Sequence, residues 1–505
     1  MNLSQQAHDR LVKQLASRLS KQSGKRARIY RTHISSVIVC GKRAYKLKRP
    51  VKLPFVDFST LALRHEDCVR EMRINRLAAP TLYLGMVKIT GTPEAPRING
   101  AGPALDWAVL MRRFDQTAIL SHLIEHDGIS SQDAESLGRY VAHQISQRPA
   151  LKVHVTEGHR PAIDWLQESL NEITGIDADL LPEASAIEQW AKRQAKQHNA
   201  LIEQRRKAGY YRDCHGDLHL GNLLKLGKNI VAFDALEFNR DLSQIDAVSD
   251  IAFTFMDFLA HGRSDLAWSM INQWCEVTKD YEALLLLRYY TLYRAVVRAK
   301  VAALTNRNTR VESFERYWRL ANRLVKPANA PRLIIVAGLS GSGKSTVARA
   351  LVGKRSAIQL RADIIRKHLF TDLLKDPKRL YSEEAGNETY SKLATIAHQL
   401  LKQNLTVLVD ATFLVQEHVD QFSELANKHK ITLEVVWCEA PLPVLKRRIN
   451  ARAKLGRDPS DADAAILDQQ IRRLENHPVC WPNPPYRIDT NTTRSEMMYF
   501  VDQLA

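Results

Sequence analysis

Two groups of residues have the types and spacing that phosphate chemistry needs. The first is Gly338-Leu-Ser-Gly341-Ser-Gly343-Lys344-Ser345-Thr346, which fits G-x-x-x-x-G-K-[ST]. Its glycines let the backbone bend until several N–H groups face one phosphate at the positive end of a helix. Lys344 then reaches the terminal phosphates, and the Ser345 hydroxyl serves Mg²⁺. The flanks agree: apolar residues 333–337 precede the motif and a helical pattern over 346–352 follows it. The second group is His215-Gly216-Asp217-Leu218-His219-Leu220-Gly221-Asn222, with Asp234 seventeen residues beyond Asp217. An acid placed like Asp217 orients an attacking hydroxyl or accepts its proton. Asn222 and Asp234 supply the oxygens that hold Mg²⁺ against ATP phosphates.

Further residues extend the glycine-rich group. The apolar run LTVLVD ends at Asp410, placed for Mg²⁺ or its water shell. Asp363, in LRADIIRK, lies about twenty residues after the loop beside Arg361, Arg366 and Lys367. An acid there can act as the base for the acceptor hydroxyl; it could equally cap the helix that follows. Arg448 and Arg452 are four apart, so they share a helix face from which they could close over ATP.

These groups need elements to carry them. Leu3, Ala7, Leu11, Leu15 and Leu19 recur every four residues, which predicts an amphipathic helix over 2–22. Residues 28–48 read as strands with a turn at Gly41-Lys42, 60–78 as a helix and 104–111 as a strand. Helical periodicity dominates 115–206. Residues 211–238 read as loop, strand, loop, strand, and helices return over 246–323, the last being RYYTLYRAVVRAKVAAL. KPANAPR then reads as a linker. Beyond it strands and helices alternate, which predicts a parallel sheet covered by helices. The expected domains are 1–326 and 332–505, joined by 327–331.

The half from 332 to 490 resembles the P-loop kinases that include polynucleotide 5′-kinases, zeta-toxin-type kinases and gluconate-kinase-like enzymes. Asp363 and Arg366 match their D-x-x-R, which implies contacts to the acceptor hydroxyl and phosphate. SDADAAILDQQ (460–470) and the two arginines resemble a branch known only as ATP-binding. H-G-D-x-x-x-x-N resembles the aminoglycoside phosphotransferase and choline kinase superfamily. That implies a protein-kinase-like bilobal fold, with an N-lobe over about 25–110 and a C-lobe over about 115–323. On this resemblance AYKLKRP (44–50) is the strand bearing the ATP-phosphate lysine. Lys46 and Lys48 share a strand face, so spacing does not choose between them; Lys46 is preferred, with Glu71 as its ion-pair partner. WAVLMRRF (107–114) resembles the strand between lobes, and Asp250 a scaffold residue. The sequence departs from the pattern in three places. It has no G-x-G-x-x-G, so THISS (32–36) has to cover the phosphates; Leu220 stands where the superfamily has Pro; Ala235-Leu236 follow Asp234. The order of halves resembles bacterial bifunctional aminoglycoside phosphotransferase/ATP-binding proteins. The expected fold class is therefore α+β and α/β multidomain.

Composition bounds the function. The chain has 505 residues and a formal net charge of +18. Residues 1–50 hold thirteen Lys+Arg and one acid, Asp9. Such a cluster suits a nucleic acid, an acidic membrane or a phosphorylated ligand, or is a solvated face. It fits a polycationic aminoglycoside poorly, so the favoured acceptor is phosphorylated, sugar-like or nucleotide-like. Six dispersed cysteines without a CxxC pair fit a reducing cytoplasm. Lys13, Arg18 and Lys21 fall where a signal peptide is apolar, and no run of 18 apolar residues occurs, so neither export nor a membrane span is expected. The favoured function is Mg·ATP-dependent phosphoryl transfer to small-molecule hydroxyls at two sites. The alternatives are a nucleic-acid 5′-hydroxyl kinase, and an ATP-sensing regulator with one silent half.

Overall fold

The first helix, Gln5–Ser23, starts at Ser4, whose side chain accepts from the Ala7 N–H, and stops at Gly24, at φ 65°. A computed structural model describes residues 3–53, 56–153, 158–306, 311–374, 376–455 and 463–503. Their contacts divide into two compact units. One takes the chain up to Asn171 together with Lys192–Asp257; the other takes Glu172–Ala191 and everything from Phe258 onward.

In the first unit, Leu11, Leu15 and Leu19 of that helix pack on Ile38, Leu47 and Ile89 of an antiparallel sheet. Its strands are β1 Arg28–Arg31, β2 Ser35–Cys40, β3 Arg43–Lys48, β6 Tyr83–Gly91, β7 Pro96–Ile98 and β8 Asp106–Arg112, in the order β1-β2-β3-β8-β6-β7. A separate two-strand ladder joins β4 Lys52–Leu53 to β5 Val56–Asp57. The Gly41-Lys42 turn falls where the sequence places it, with Gly41 at φ 60°. β6 and β7 have no counterpart in the sequence reading. A bulge between Tyr83 and Gly85 breaks the alternation of β6 and leaves Leu84 exposed.

Helix Leu61–Ala78 covers the other face. Cys68 and Met72 meet Val109 and Met111. Arg64, Asp67, Glu71 and Asn75, three or four apart, are also buried. Hence one face of this helix delivers polar groups to the interior. After Tyr211–Asp213 (β9), the His215–Asn222 segment leads into the hairpin of β10 Leu223–Leu226 and β11 Asn229–Ala232. β12, Gln244–Asp246, pairs antiparallel with β9.

The second unit holds helices Ser264–Thr278, Leu284–Asn306 and Glu312–Val325 and a five-stranded parallel sheet. The segment RYYTLYRAVVRAKVAAL is thus not the last helix before the linker: Glu312–Val325 follows and buries Phe314, Tyr317 and Trp318. The sheet strands are β13 Leu333–Ala337, β14 Ala357–Arg361, β15 Thr406–Asp410, β16 Leu433–Glu439 and β17 Tyr486–Asp489, in the order β14-β15-β13-β16-β17. β13 and β14 are buried throughout, as expected of strands covered on both faces. The chain is thus α+β around an antiparallel sheet and α/β around a parallel one. Among the described residues no helix is long and apolar enough to cross a membrane.

Candidate functional site

Successive side chains of β3 alternate, so Lys46 and Lys48 leave the same face. The structure separates their surroundings. Lys46 Nζ donates to Glu71 Oε1 at 2.9 Å and also to the Asp234 carboxylate. Lys48 Nζ is fully buried, 2.7 Å from Glu71 Oε2, 2.7 Å from Asp67 Oδ2, and bonded to Glu237. Burial pulls the Lys46 ammonium down, but Asp234 and Glu71 outweigh it and hold its pKa well above the ordinary range. Lys48 behaves alike, with burial opposed by Glu237, Glu71 and Asp67. Burial also pushes the Glu71 carboxyl up, yet the two ammonium groups win and leave it lowered. Glu237 ends raised, because burial and Glu71 outweigh Lys48. The oxygens of Asp67, Glu71 and Glu237 lie within 4.8 Å of one another, a set that suits a cation. The Lys48 ammonium forms ion pairs with all three and is that cation.

The HGD segment is held by acids further along the chain. Asp250 accepts from the His215 N–H and the Gly216 N–H, both at 2.9 Å, a scaffold contact. Asp257 accepts from the Leu220 N–H at 2.9 Å. Gly216 stands at φ 80°, and a Cβ there would meet Leu242 O at 2.7 Å, so only glycine fits. His215 Nε2 lies 3.0 Å from Phe233 O, and burial lowers its pKa, which keeps it neutral. Asn222 Nδ2 donates to Asp217 O at 2.9 Å and to Asp217 Oδ2 at 3.0 Å, joining those two residues directly. The Phe233 N–H donates to Asn222 O at 3.0 Å, which sets Asp234 beside this loop. Asp234 has φ 63°, a conformation rare outside glycine and familiar at functional positions. Its N–H donates to Tyr83 Oη at 3.0 Å, and the Ala235 N–H to Asn75 Oδ1 at 2.9 Å. Asp217, Asn222 and Asp234 present carboxylate and amide oxygens, a donor set that fits Mg²⁺. The Asp234 side chain is 48% exposed, open enough to take a ligand.

In the second unit the glycine loop leaves the end of β13. Gly338, Gly341 and Gly343 stand at φ 143°, 81° and 83°. A Cβ on Gly341 would meet Leu445 O at 2.8 Å. Lys344 opens helix Lys344–Arg355, with its Nζ 3.3 Å from Leu339 O. Thr346 lies exposed on the first turn. Such a loop leaves backbone N–H groups for a phosphate, so the residues fit ATP. Asp410 is buried at the end of β15, where Gln359 Nε2 donates to its Oδ2 at 2.9 Å. Arg361 Nε lies 3.7 Å from the same oxygen. Burial raises the Asp410 pKa, offset in part by Arg361, Lys344 and the Ser345 hydroxyl bonded to it. Asp410 with Ser345 is a fitting oxygen pair for Mg²⁺.

A cavity of ≈ 290 Å³ opens here, lined by Lys344, Asp363, Arg366, Tyr390, Asp410 and Arg473 among others. Asp363 and Arg366 lie 3.7 Å apart, so the D-x-x-R pair forms an ion pair on the cavity wall. Arg448 does not line this cavity. Leu445 and Ile449 bury its helix beside Leu339, and its guanidinium donates to Gly341 O (3.2 Å), Thr490 Oγ1 (2.8 Å) and Thr490 O (2.7 Å). It thereby ties the loop's Gly341 carbonyl to Thr490. Arg452, one turn on, does not line the cavity either. Residues 456–462, which include the first three residues of SDADAAILDQQ (460–470), lie outside the described residues. Sequence reasoning missed Arg473 and Gln470, whose Oε1 accepts from the Ser340 N–H at 2.9 Å. It also missed Gln359, Asp257, Tyr83 and Asn75. Asn75 alone carried a signal, one helical turn after Glu71.

A glycine loop at the end of the central strand of a parallel sheet defines a P-loop domain. The N-terminal part is an antiparallel sheet with a buried Lys–Glu pair and an HGD-type loop. Residues 333–477 match the family described as AAA domain. The chain is 28% identical over 456 residues to the uncharacterized protein Rv2004c of Mycobacterium tuberculosis (strain ATCC 25618 / H37Rv), covering 86% of this chain and 88% of that one. Among solved structures it is similar to choline kinase from Cryptosporidium parvum Iowa II, with 11% identity over 59% of this chain and 88% of that chain and a TM-score of 0.37. It is similar to the APS kinase of Mycobacterium tuberculosis, with 26% identity over 35% of this chain and 98% of that chain and a TM-score of 0.27. A gluconokinase from Sinorhizobium meliloti 1021 matches with 18% identity over 35% of this chain and 95% of that chain, at a TM-score of 0.27.

Proposed function

We propose that this protein transfers phosphoryl groups from Mg·ATP to hydroxyl acceptors at two separate sites, one in residues 1–326 and one in 332–505, joined by 327–331. The carrying observation is the same in both places: a lysine and a carboxylate far apart in sequence converge. Lys46 bonds to Asp234, and Lys344 and Asp410 line one cavity. Mg·ATP, when bound, supplies the transferable group and the charge that holds it.

The chain's own residues do the rest. Lys46, positioned by Glu71, and Lys344 hold phosphate oxygens. The backbone at Gly338, Gly341 and Gly343 cradles them, and the first helical turn at Ser345 and Thr346 faces them. Asn222 and Asp234, and Ser345 and Asp410, hold Mg²⁺. Asp217 and Asp363 orient the acceptor hydroxyl and take its proton. Arg366 meets the acceptor, and Arg473 beside it favours an acceptor carrying an anionic group. Arg448 keeps the loop in shape.

The test is transfer from γ-labelled ATP to a small-metabolite extract and to an oligonucleotide pool. Wild type, Lys344→Ala and Asp217→Ala are run side by side. Two classes of labelled small molecule are expected, each lost in one variant. Label only in oligonucleotides points instead to a nucleic-acid kinase. Label in nothing, with ATP still bound, points to a nucleotide-sensing regulator.

A further inference from the structure

β14 is an edge strand of the parallel sheet. An edge leaves backbone N–H and C=O groups without a strand partner. Here a side chain takes the place of the missing strand. Asn272, on helix Ser264–Thr278, donates from Nδ2 to Ala357 O at 2.9 Å and accepts at Oδ1 from the Gln359 N–H at 2.6 Å. The C=O of one residue and the N–H two residues on are the pair that a neighbouring parallel strand would engage through one amino acid. The carboxamide of Asn272 reproduces that donor–acceptor pair. The helix also comes close: a Cβ on Gly353 would lie 3.2 Å from Asp265 Cβ, tighter than ordinary contact. Ser264 Oγ and Ser356 Oγ are 3.0 Å apart.

The docked helix brings a second acid to the site. Glu276, one turn after Asn272, places both carboxylate oxygens 3.4 Å from Arg361 Nη1. Arg361 also faces Asp410, with Nε at 3.7 Å. Gln359, whose backbone is held by Asn272, donates from its side chain to the same Asp410 oxygen. Two routes therefore run from helix Ser264–Thr278 to the Asp410 carboxylate: Asn272 through Gln359, and Glu276 through Arg361. Arg361 is 4% exposed and Glu276 11%, so water screens this relay weakly.

We propose that Glu276 and Asn272 are positioning residues of the P-loop site, and that Glu276 sets how strongly Arg361 competes with Mg²⁺ for Asp410. The inference rests on the reading of that cavity as a Mg·ATP site. With Glu276 in place the guanidinium is shared between two carboxylates. Without it the full charge of Arg361 falls on Asp410, and a metal ion must displace a stronger counter-ion.

The experiment uses the full chain and reads binding. ATP binding is titrated calorimetrically at increasing Mg²⁺, and the component absent in Lys344→Ala is taken as the P-loop site. Glu276→Gln is expected to raise the Mg²⁺ concentration for half-maximal binding about three- to tenfold, with Mg²⁺-free ATP binding little changed. Arg361→Gln is expected to lower it. In the double variant the Glu276 effect is expected to vanish, because the charge it controls is gone. An unchanged Mg²⁺ midpoint in Glu276→Gln, with only a lower melting temperature, overturns the proposal and leaves a structural contact. A wild-type chain with no Lys344-dependent ATP binding overturns the parent reading instead.

Discussion

Lys48 shows how far residue spacing carries and where it stops. Spacing placed two lysines on one face of β3 and did not separate them. Burial and partners do: Lys48 is enclosed by three carboxylates, while Lys46 reaches Asp234. Lys48→Met removes the cation from a buried acidic cluster, and a loss of about 3–5 kcal/mol is expected in urea unfolding. Lys46→Met leaves Glu71 paired with Lys48, so stability should change less while ATP affinity at this site falls. A result in which both variants unfold alike would contradict the division of roles. His418 gives a second prediction. It stacks on Tyr390 with ring centroids 3.7 Å apart, and its Nε2 lies 2.8 Å from Asn387 Oδ1. Burial lowers its pKa to about 4, against 6.5 for an unperturbed ring. Below pH 6.5 the unfolded chain binds a proton that the folded one refuses, so stability falls as the pH drops from 6.5 toward 4, by up to about 3 kcal/mol. His418→Gln should flatten that slope of unfolding free energy against pH; an equally steep slope would assign the acid sensitivity elsewhere.

At the scale of elements, the legible parts were those whose signal is local. The spacing of Leu11, Leu15 and Leu19 predicted the first helix, Gly41-Lys42 a turn, and the alternation of strands and helices after the linker the parallel sheet. β6 stayed hidden because its bulge breaks alternation. The acid–Asn–Asp order of Asp217, Asn222 and Asp234 was readable because two segments close in the chain carry it. Arg473, Gln359 and Asp257 were not, because they reach their partners through tertiary packing that no spacing encodes. Arg448 illustrates the same limit: its helix was legible, the backbone oxygens it grips were not. The loop itself makes a prediction. Gly341 stands at φ 81° with Leu445 O 2.8 Å from any added Cβ. Gly341→Ala is therefore expected to cost about 1–3 kcal/mol and to weaken ATP binding at this site, read by thermal unfolding and ATP titration. Unchanged binding would show that the loop tolerates another shape.

For the whole molecule, the charge of +18 has a distribution with structural meaning. Lys46 and Lys48 are buried among acids, and Lys344 lines a cavity. Arg10, Lys13, Arg18, Lys21, Lys25, Arg26, Arg28 and Arg31 are exposed on the first helix, the strand that follows and the link between them. Among them Arg10 pairs with Glu94 at 3.7 Å and Arg31 with Asp9 at 3.6 Å, both at the solvent boundary, where such pairs contribute little. On the proposed reading, Lys46 and Lys344 serve two phosphate sites, while much of the remaining excess is a surface feature. The central claim is that one chain carries two independent ATP sites, and equilibrium dialysis with labelled ATP and saturating Mg²⁺ tests it most directly. Two ATP per chain are predicted for the wild type, one for Lys344→Ala, one for Lys46→Ala and none for the double variant. A wild-type stoichiometry of one, or two sites lost together in either single variant, would contradict it.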